Sequence, residues 1–432
     1  MKASVIIPVW NGREYLSDCL DALLAQDYPD FEIIAVDNAS EDGSADFVEE
    51  SYSTVRLIRN QGNLGFAGGC NVGLRAARGD MLALLNQDAV VRPGWLQVLA
   101  ETLQDPGIGV VGCKILYADG QTIQHAGGWV EWPLGLAHHY GRHKPDGKQW
   151  SEPAAMEYVT GAAIAFRRDV LEEIGPLDEE FWPGYFEDAD FCVRAREAGY
   201  EVRYEPEAEV LHRETTSLSI PEEISRAYQR GRLRFLLKHM PPGCFLREFV
   251  PAERRYQGPA IRGHESVAVR LAYLEAIPAA ARLLPERWQA DDRTVSQVIA
   301  ALEDLRQRAW QEDWERVEES AVIGSELADR GSEVGSVSPL QEFEFQSAVP
   351  VVGPLIARLR SLWYSVAARW AIGDLIEQQE AINRQHGIYI RALRDRVAML
   401  AEENSLLSRQ LADLIGDNVA RGEEDHAKRD CR

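Results

Sequence analysis

Nowhere in this 432-residue chain does an apolar run reach the roughly 18 residues that a bilayer-spanning helix needs. The opening stretch Met1–Ile7 is apolar only briefly before Pro8 and polar residues, which predicts a first strand rather than a secretion signal. Cysteine is scarce too. Its six residues (Cys19, Cys70, Cys113, Cys192, Cys244 and Cys431) show no CxxC pair and no regular spacing. That scatter argues against a disulfide framework and predicts a reduced, cytoplasmic protein. Positive charge is short as well: 46 Lys and Arg stand against 69 Asp and Glu, a formal net charge of −23. This argues against broad nucleic-acid binding, because phosphate contact needs a basic surface. An anionic ligand such as a sugar diphosphate would have to be held locally, by a metal ion, helix N-termini or backbone amides.

The remaining composition, 45% hydrophobic and 27% charged, is that of a globular protein, and the length calls for two or more units. Over the first 120 residues short apolar runs alternate with amphipathic stretches, the pattern of βα units around a parallel sheet. Strands are predicted at Ala3–Pro8, Phe31–Asp37, Val55–Arg59 and Met81–Leu85, with helices at Tyr15–Ala25, Ala45–Ser51 and Asn71–Ala77. A mixed region follows, with strands at Val110–Leu116 and Val159–Phe166 and a helix at Phe186–Ala198. Two short strands, Glu201–Tyr204 and Glu209–Leu211, and a basic-tinged helix, Glu222–His239, then close a first domain of residues 1–240. Beyond Pro241-Pro242 the pattern is helical (His264–Leu284, Thr294–Glu319), giving an extension over 241–319. Residues 320–353 read as a flexible acidic linker, 354–416 as a long helix with a C-terminal coiled coil, and 417–432 as a disordered tail.

Ligands of open α/β sheets bind outside the carboxyl ends of the strands. Three such ends here are polar: Pro8-Val9-Trp10-Asn11, Asp37-Asn38-Ala39-Ser40 and Asn86-Gln87-Asp88. Asp37 can accept the ring N–H of a uracil or thymine, or a ribose hydroxyl, with Asn38 and Ser40 adding hydrogen bonds. Taken alone it is equally a turn or helix cap. The passage Gly62–Gly73, with Asn63 and Gly65, would bring backbone amides close to a ligand, or else serve as a tight turn; its spacing is not the dinucleotide fingerprint. Asp88 at a strand end suits a divalent cation beside a diphosphate. In Phe181–Arg194 aromatic residues enclose Glu187, Asp188 and Asp190 at a helix start. Asp190 is expected to pair with Arg194 at i,i+4. Crowded carboxyls walled by aromatics gain proton affinity, which suits a general base, and Trp182 and Glu187 are placed on the acceptor side. His212 ends the last strand, and His125, His138, His139 and His143 show no ligand-type spacing.

In this order the motifs resemble the inverting glycosyltransferases of family 2, which have the GT-A fold, and within them the rhamnosyltransferase-type enzymes of bacterial surface polysaccharide assembly. The resemblance is carried by Ser4–Asn11, Ile33–Ser40, Asn63–Gly69, Leu85–Asp88, Gln124–Gly127, Thr160–Ala163, Leu177–Glu179, Phe186–Asp190, His212 and Ser217. It implies an α/β nucleotide-sugar-binding domain with a mostly parallel mixed sheet. It further implies Asp37 on the nucleobase, Pro8 and Asn11 framing the nucleotide, and Asp88 and His212 on Mn²⁺ or Mg²⁺, with Asp188 as the base that activates the acceptor. Asn86 departs from the family, which has a first aspartate there. The expected donor is a dTDP- or UDP-sugar in preference to a GDP-sugar, and the sugar rhamnose or a relative. The expected acceptor is a hydroxyl of a glycan or a lipid-linked glycan, at the cytoplasmic face of a membrane.

Competing readings are a nucleotidyltransferase making nucleotide sugars, a non-catalytic glycan-assembly scaffold, and an NAD-dependent oxidoreductase. The first would need a basic, Gly-rich loop after the first strand, and the third its glycine fingerprint; both are missing from the sequence. Near the C-terminus, Ile390, Leu393, Val397, Leu400, Leu407, Leu411 and Leu414 fall at heptad a and d positions with Asn404 at an a position. That pattern predicts a parallel homodimer, with an intramolecular helix as the alternative. Leu362–Trp370 reads either as a peripheral membrane contact or as aromatic packing between helices.

Overall fold

In the computed structural model, residues 1–213, 221–260 and 264–309 are described, and they form one compact unit, Met1–Ala309. The expected linker, coiled coil, tail and membrane-contact helix, together with Ser217, lie outside the described residues. The first half runs β1 (Ala3–Val9), α1 (Leu16–Leu24), β2 (Phe31–Asp37), α2 (Ser44–Ser51), β3 (Arg56–Arg59), α3 (Gly65–Ala76), β4 (Met81–Leu85), β5 (Ala89–Val91) and α4 (Trp95–Thr102). Then come β6 (Ile108–Tyr117), β7 (Thr122–His125), β8 (Gly128–Glu131), β9 (Leu136–His139), β10 (Lys144–Pro145), β11 (Ala154–Ala155) and β12 (Ala163–Arg167). α5 (Arg168–Ile174), α6 (Glu187–Glu197) and β13 (Glu201–His212) complete the sheet domain. Helices α7 (Pro221–His239), α8 (Pro242–Cys244), α9 (Val250–Ala260) and α10 (His264–Trp288) follow, and 292–309 is helical again.

Strands β3, β2, β1 and β4 lie side by side and parallel. Their runs are apolar on both faces because both faces are covered. Val5 and Ile7 share a buried core with α1 and α4 residues such as Leu20 and Leu99, while Ile6 belongs to a second core with Cys70 and Leu74 of α3. β12 then pairs antiparallel with β4 and β6, which makes the second half mixed. The two short strands expected at 201–204 and 209–211 are one long strand, β13, parallel to β6, with an irregularity between Glu205 and Glu209. The strand expected from Val159 begins only at Ala163, after a turn at Gly161 and Ala162. Sequence periodicity missed β5, α4 and the small β8–β9 hairpin. The glycine passage is not a loop entering a helix at Asn71, because helix α3 already starts at Gly65. Its glycines serve packing: a Cβ on Gly69 would lie 2.6 Å from the Asn38 amide nitrogen, and Gly65 has φ +73° with Trp182 and Pro183 against it.

Helix α7 belongs to two cores. Phe235 packs among Phe186, Phe191 and Phe166 of the sheet domain, whereas Leu233, Leu236 and Leu237 join Phe249, Tyr273 and Leu302. The helical segment after residue 240 is thereby built onto the sheet domain. A fully buried pair, Arg232–Glu253, fastens it: Arg232 reaches both Glu253 oxygens at 2.5 and 2.9 Å and donates to the Leu134 carbonyl. No helix of the described residues is long and apolar enough to cross a membrane, and the five described cysteines are free thiols.

The basic face of α7 also grips the acidic segment ahead of α6. Asp178 receives Arg234 at 2.7 Å and Lys238 at 2.8 Å. Asp190, fully buried, receives Lys238 at 2.6 Å, His239 at 2.8 Å and, as expected from the i,i+4 spacing, Arg194 at 2.9 Å. Burial alone would raise the Asp190 carboxyl, but the His239 hydrogen bond and the Lys238 and Arg194 charges hold it well below the usual range. Asp178 is likewise lowered against its burial, by Lys238 and Arg234. A carboxylate depressed in the fold stabilises it above its unfolded pKa of about 3.9 and loses that contribution as pH falls toward the folded value. Stability should therefore drop below about pH 4. Asp190→Asn is expected to cost about 3–5 kcal/mol at neutral pH, since it leaves buried cations unpaired, and to flatten the acid limb. Urea denaturation at several pH values checks both; equal neutral stability with parallel pH curves would remove Asp190 as an anchor.

Candidate active site

The carboxyl ends of β1, β2 and β4 meet as the sequence predicts. Gln87 follows β4 and braces the turn after β1: its side chain accepts from Trp10 N at 2.9 Å and donates to Trp10 O at 3.0 Å. Asn11, exposed and at φ +49°, accepts from Glu41 N through Oδ1, while its own amide donates to Ser40 Oγ. Asp37 is buried at the tip of β2 and meets the Ser40 amide at 3.3 and 3.4 Å. The turn reading of Asp37 is thus realised, with a long contact that leaves most of the carboxylate's accepting capacity unused by this turn. Asn38 donates to Gly65 O and accepts from Asn60, and Asn63 accepts from Gly65 N. Asn38, Asn63 and Gln87, all expected to face a donor, are thus engaged in shaping the loops of the cleft. Pro8 is half-buried, one residue before the end of β1.

At the end of β4, Asp88 meets His212 from the end of β13, with Oδ1 and Nε2 3.1 Å apart. Asn86 Nδ2 stands 3.1 Å from the same Nε2. On the other side of the ring, Nδ1 lies 2.7 Å from Gln124 Oε1. Asp88 and His212 are nearly buried, at 5% and 7% exposure. With its proton on Nδ1, donated to the Gln124 oxygen, the ring would turn an Nε2 lone pair toward the Asp88 carboxylate. Two acceptors so placed suit a cation between them, and one imidazole with one carboxylate is a reasonable donor pair for a divalent metal. Among the described residues there is no group of three or more His, Cys, Asp or Glu side chains able to hold a metal ion. Other ligands would have to come from elsewhere.

Asp188 sits in the first turn of α6, half-buried, accepting from Gly161 N at 2.8 Å and Ala189 N at 2.7 Å. Burial raises its proton affinity, and these bonds together with one from Thr160 oppose the rise. Glu187 beside it is buried with Oε2 unpartnered, and it is pushed well above the ordinary range by burial and by Asp188. Both carboxyls thus gain proton affinity, Glu187 with no hydrogen bond to its buried Oε2 and Asp188 with backbone amides that favour its charged form. Phe186, immediately before them, takes φ +73°, and Tyr185 takes +76°. The pair is held against Tyr228 and Phe235 of α7. Trp182, 48% exposed, stands at the rim against Gly65.

One short peptide links these two clusters. Gly161 N donates to Asp188, and the neighbouring Ala162 O accepts from Asn86 N at 2.9 Å. Thr160 N in turn donates to His125 Nε2 at 3.3 Å. Nothing in the composition of Thr160–Ala163 or Gln124–Gly127 reveals what these segments touch. His125 and His139, whose spacing carries no ligand signature, lie Nδ1 to Nδ1 at 2.7 Å. Burial lowers both, His139 to about 4.

The profile of Glycosyl transferase family 2 matches residues 4–175. The O-antigen biosynthesis protein RfbC of Myxococcus xanthus is 32% identical over 234 residues, 51% of this chain and 18% of its own. An uncharacterized glycosyltransferase of Nostoc sp. is 32% identical over 199 residues, 45% of this chain and 58% of its own. The chain thus spans less than two thirds of the length of either relative. A mannosyltransferase from Pyrobaculum calidifontis, solved with GDP-Man and Mn²⁺, aligns at a TM-score of 0.42 and 20% identity over 72% of this chain and 87% of that one. By its match to family 2, this chain carries a glycosyltransferase domain.

Proposed function

We propose that the protein transfers a sugar from a nucleotide diphosphate sugar to a hydroxyl of a glycan or lipid-linked acceptor, with inversion at the anomeric carbon. The observation that carries this reading is the Thr160–Ala162 peptide, which fixes a base candidate, Asp188, relative to the Asp88–His212 pair. Asp188 removes the proton from the acceptor hydroxyl as that oxygen attacks the anomeric carbon and the nucleoside diphosphate leaves from the opposite face. A single displacement needs no second carboxylate as nucleophile, unlike retaining glycosidases with their close pair. On the donor side Asp37 takes the base or ribose of a dTDP- or UDP-sugar, Pro8 and Asn11 frame it, and Asn38, Asn63, Gly65, Asn86 and Gln87 hold the walls. Trp182 offers an apolar face to an acceptor sugar. Rhamnose as the transferred sugar, and surface polysaccharide as the product, are the finer form of the proposal, favoured by the similarity to an O-antigen biosynthesis protein.

Asp88 and His212 would hold Mn²⁺ or Mg²⁺, which when bound neutralises charge developing on the diphosphate. Their nitrogen-plus-oxygen donor set favours Mn²⁺ over Ca²⁺.

Asp188→Asn is expected to lower turnover by about 10²–10⁴-fold, while nucleotide binding measured by calorimetry persists. A variant that keeps more than a few per cent of wild-type turnover would take the base role from Asp188. Chelator should abolish transfer and Mn²⁺ restore it. His212→Ala should raise the Mn²⁺ concentration needed for half-maximal rate without changing the preference among nucleotides. Full turnover in excess chelator would leave Asp88 and His212 as a plain hydrogen-bonded pair.

A further inference from the structure

Strand β7 carries an irregularity that its sequence does not announce. Against β6, His125 pairs with Ile115, but the next partner of β6, Leu116, pairs with Ile123. Gln124 is therefore the extra residue of a β-bulge, a device that re-aims one side chain out of the regular alternation. The re-aimed side chain is 94% buried by its 6% exposure, and its oxygen reaches His212 Nδ1 at 2.7 Å. Its Nε2 is buried with no hydrogen-bond partner among the described residues. An amide kept in the interior with its nitrogen unanswered is retained for what its oxygen does.

We propose that Gln124 is a positioning residue that fixes the His212 ring with its proton on Nδ1 and its Nε2 lone pair aimed at the Asp88 side. The three neighbours of the ring favour this arrangement. Gln124 Oε1 needs a donor at Nδ1, and Asn86 Nδ2, 3.1 Å away, needs an acceptor at Nε2. The opposite tautomer would satisfy Asp88 alone, set Asn86 N–H against N–H, and leave the Gln124 oxygen without a donor. A histidine whose far nitrogen donates to a buried oxygen is oriented, and made more basic, for a metal at the near nitrogen. The bulge is thus the feature that prepares His212. This rests on the metal reading of the Asp88–His212 pair given above, and the test separates the two.

The experiment uses the full-length protein as wild type, Gln124→Met and Gln124→Glu, with thermal midpoints as a check on folding. Mn²⁺ binding is followed by the electron paramagnetic resonance of the free ion, with Mn²⁺ alone and with UDP. Histidine tautomers are read in metal-free protein from long-range ¹⁵N–¹H correlations, with His212→Ala assigning the resonance. The wild type should show a single Nδ1–H tautomer at His212. Gln124→Met should weaken Mn²⁺ binding by about 10–100-fold and lose the fixed tautomer. Gln124→Glu keeps the acceptor and should recover most of the affinity, whereas a purely packing role would be worsened by a buried charge. Equal Mn²⁺ binding by wild type and Gln124→Met overturns the proposal, as does failure of Gln124→Glu to recover affinity while it folds normally. If the wild type binds no Mn²⁺, the metal reading falls and the tautomer decides alone. Nε2–H in the wild type, or Nδ1–H retained in Gln124→Met, then overturns the proposal.

Discussion

The loop that carries Asp188 depends on an ionic grip between one basic helix and one acidic segment. Asp178 and Asp190 bracket the loop that leads into α6, and both are held by α7, through Arg234, Lys238 and His239. Between those two anchors the chain adopts a conformation it would not adopt alone, with two consecutive aromatic residues, Tyr185 and Phe186, in the left-handed region. Each such residue costs on the order of 1–3 kcal/mol and persists only where its surroundings over-determine it. The surroundings here are the anchors and the aromatic contacts to Tyr228 and Phe235. Asp188 emerges from that loop at the first turn of α6, so its position is inherited from α7, about fifty residues further along the chain.

The same grip explains why the helical segment is built into the sheet domain. α7 turns one flank to the acidic segment and Phe235 to the sheet core, and its Leu233, Leu236 and Leu237 to α10 and the helix over 292–309. Burying a leucine or phenylalanine fully contributes about 1.5–3 kcal/mol, so these contacts hold α7 in place firmly enough to sustain a strained loop on its other side. The buried Arg232–Glu253 pair adds register more than net energy, since charge desolvation offsets much of its attraction. Packing in the helical module thereby reaches the carboxyl group at the cleft.

What could be read from the sequence follows how local its cause is. The parallel strands were legible because a strand buried on both faces must be apolar throughout, and Met81–Leu85 was located residue for residue. The Asp190–Arg194 pair followed from helical spacing. The meeting of Asp88 with His212 rested on family resemblance, since no local rule joins positions 124 residues apart. Three things were hidden for physical reasons. Glycines at 65, 68, 69 and 73 usually signal a loop, yet here Gly69 and Gly73 let α3 approach Asn38 and Ile6 more closely than any side chain would permit, and Gly65 makes room for Trp182 and Pro183. The bulge at Gln124 depends on pairing register, which is a property of two strands and is absent from either alone. The loop-bracing bonds of Asn38 and Gln87 were not legible, because the same hydrogen-bonding groups serve equally to face a ligand or to brace a loop.

The net charge of −23 raises the question of how such a protein would receive a diphosphate. At physiological ionic strength charges are screened beyond about 8 Å, so the acidic surface as a whole matters less than the groups lining the cleft. The cations of α7 have little to give: Arg234, Lys238 and, through Glu275, Arg226 and Arg230 are engaged by carboxylates. Near the Asp88–His212 pair Arg213 is turned to Asp18 and lies over Tyr15. A diphosphate entering here would meet Asp37 and Asp88, two carboxylates, before it met an uncommitted cation among these groups. Binding a polyanion beside carboxylates is unfavourable unless a positive charge comes between them. Under the proposed function, a divalent ion on Asp88 and His212 would answer that requirement, since their side chains meet at 3.1 Å at the end of the sheet.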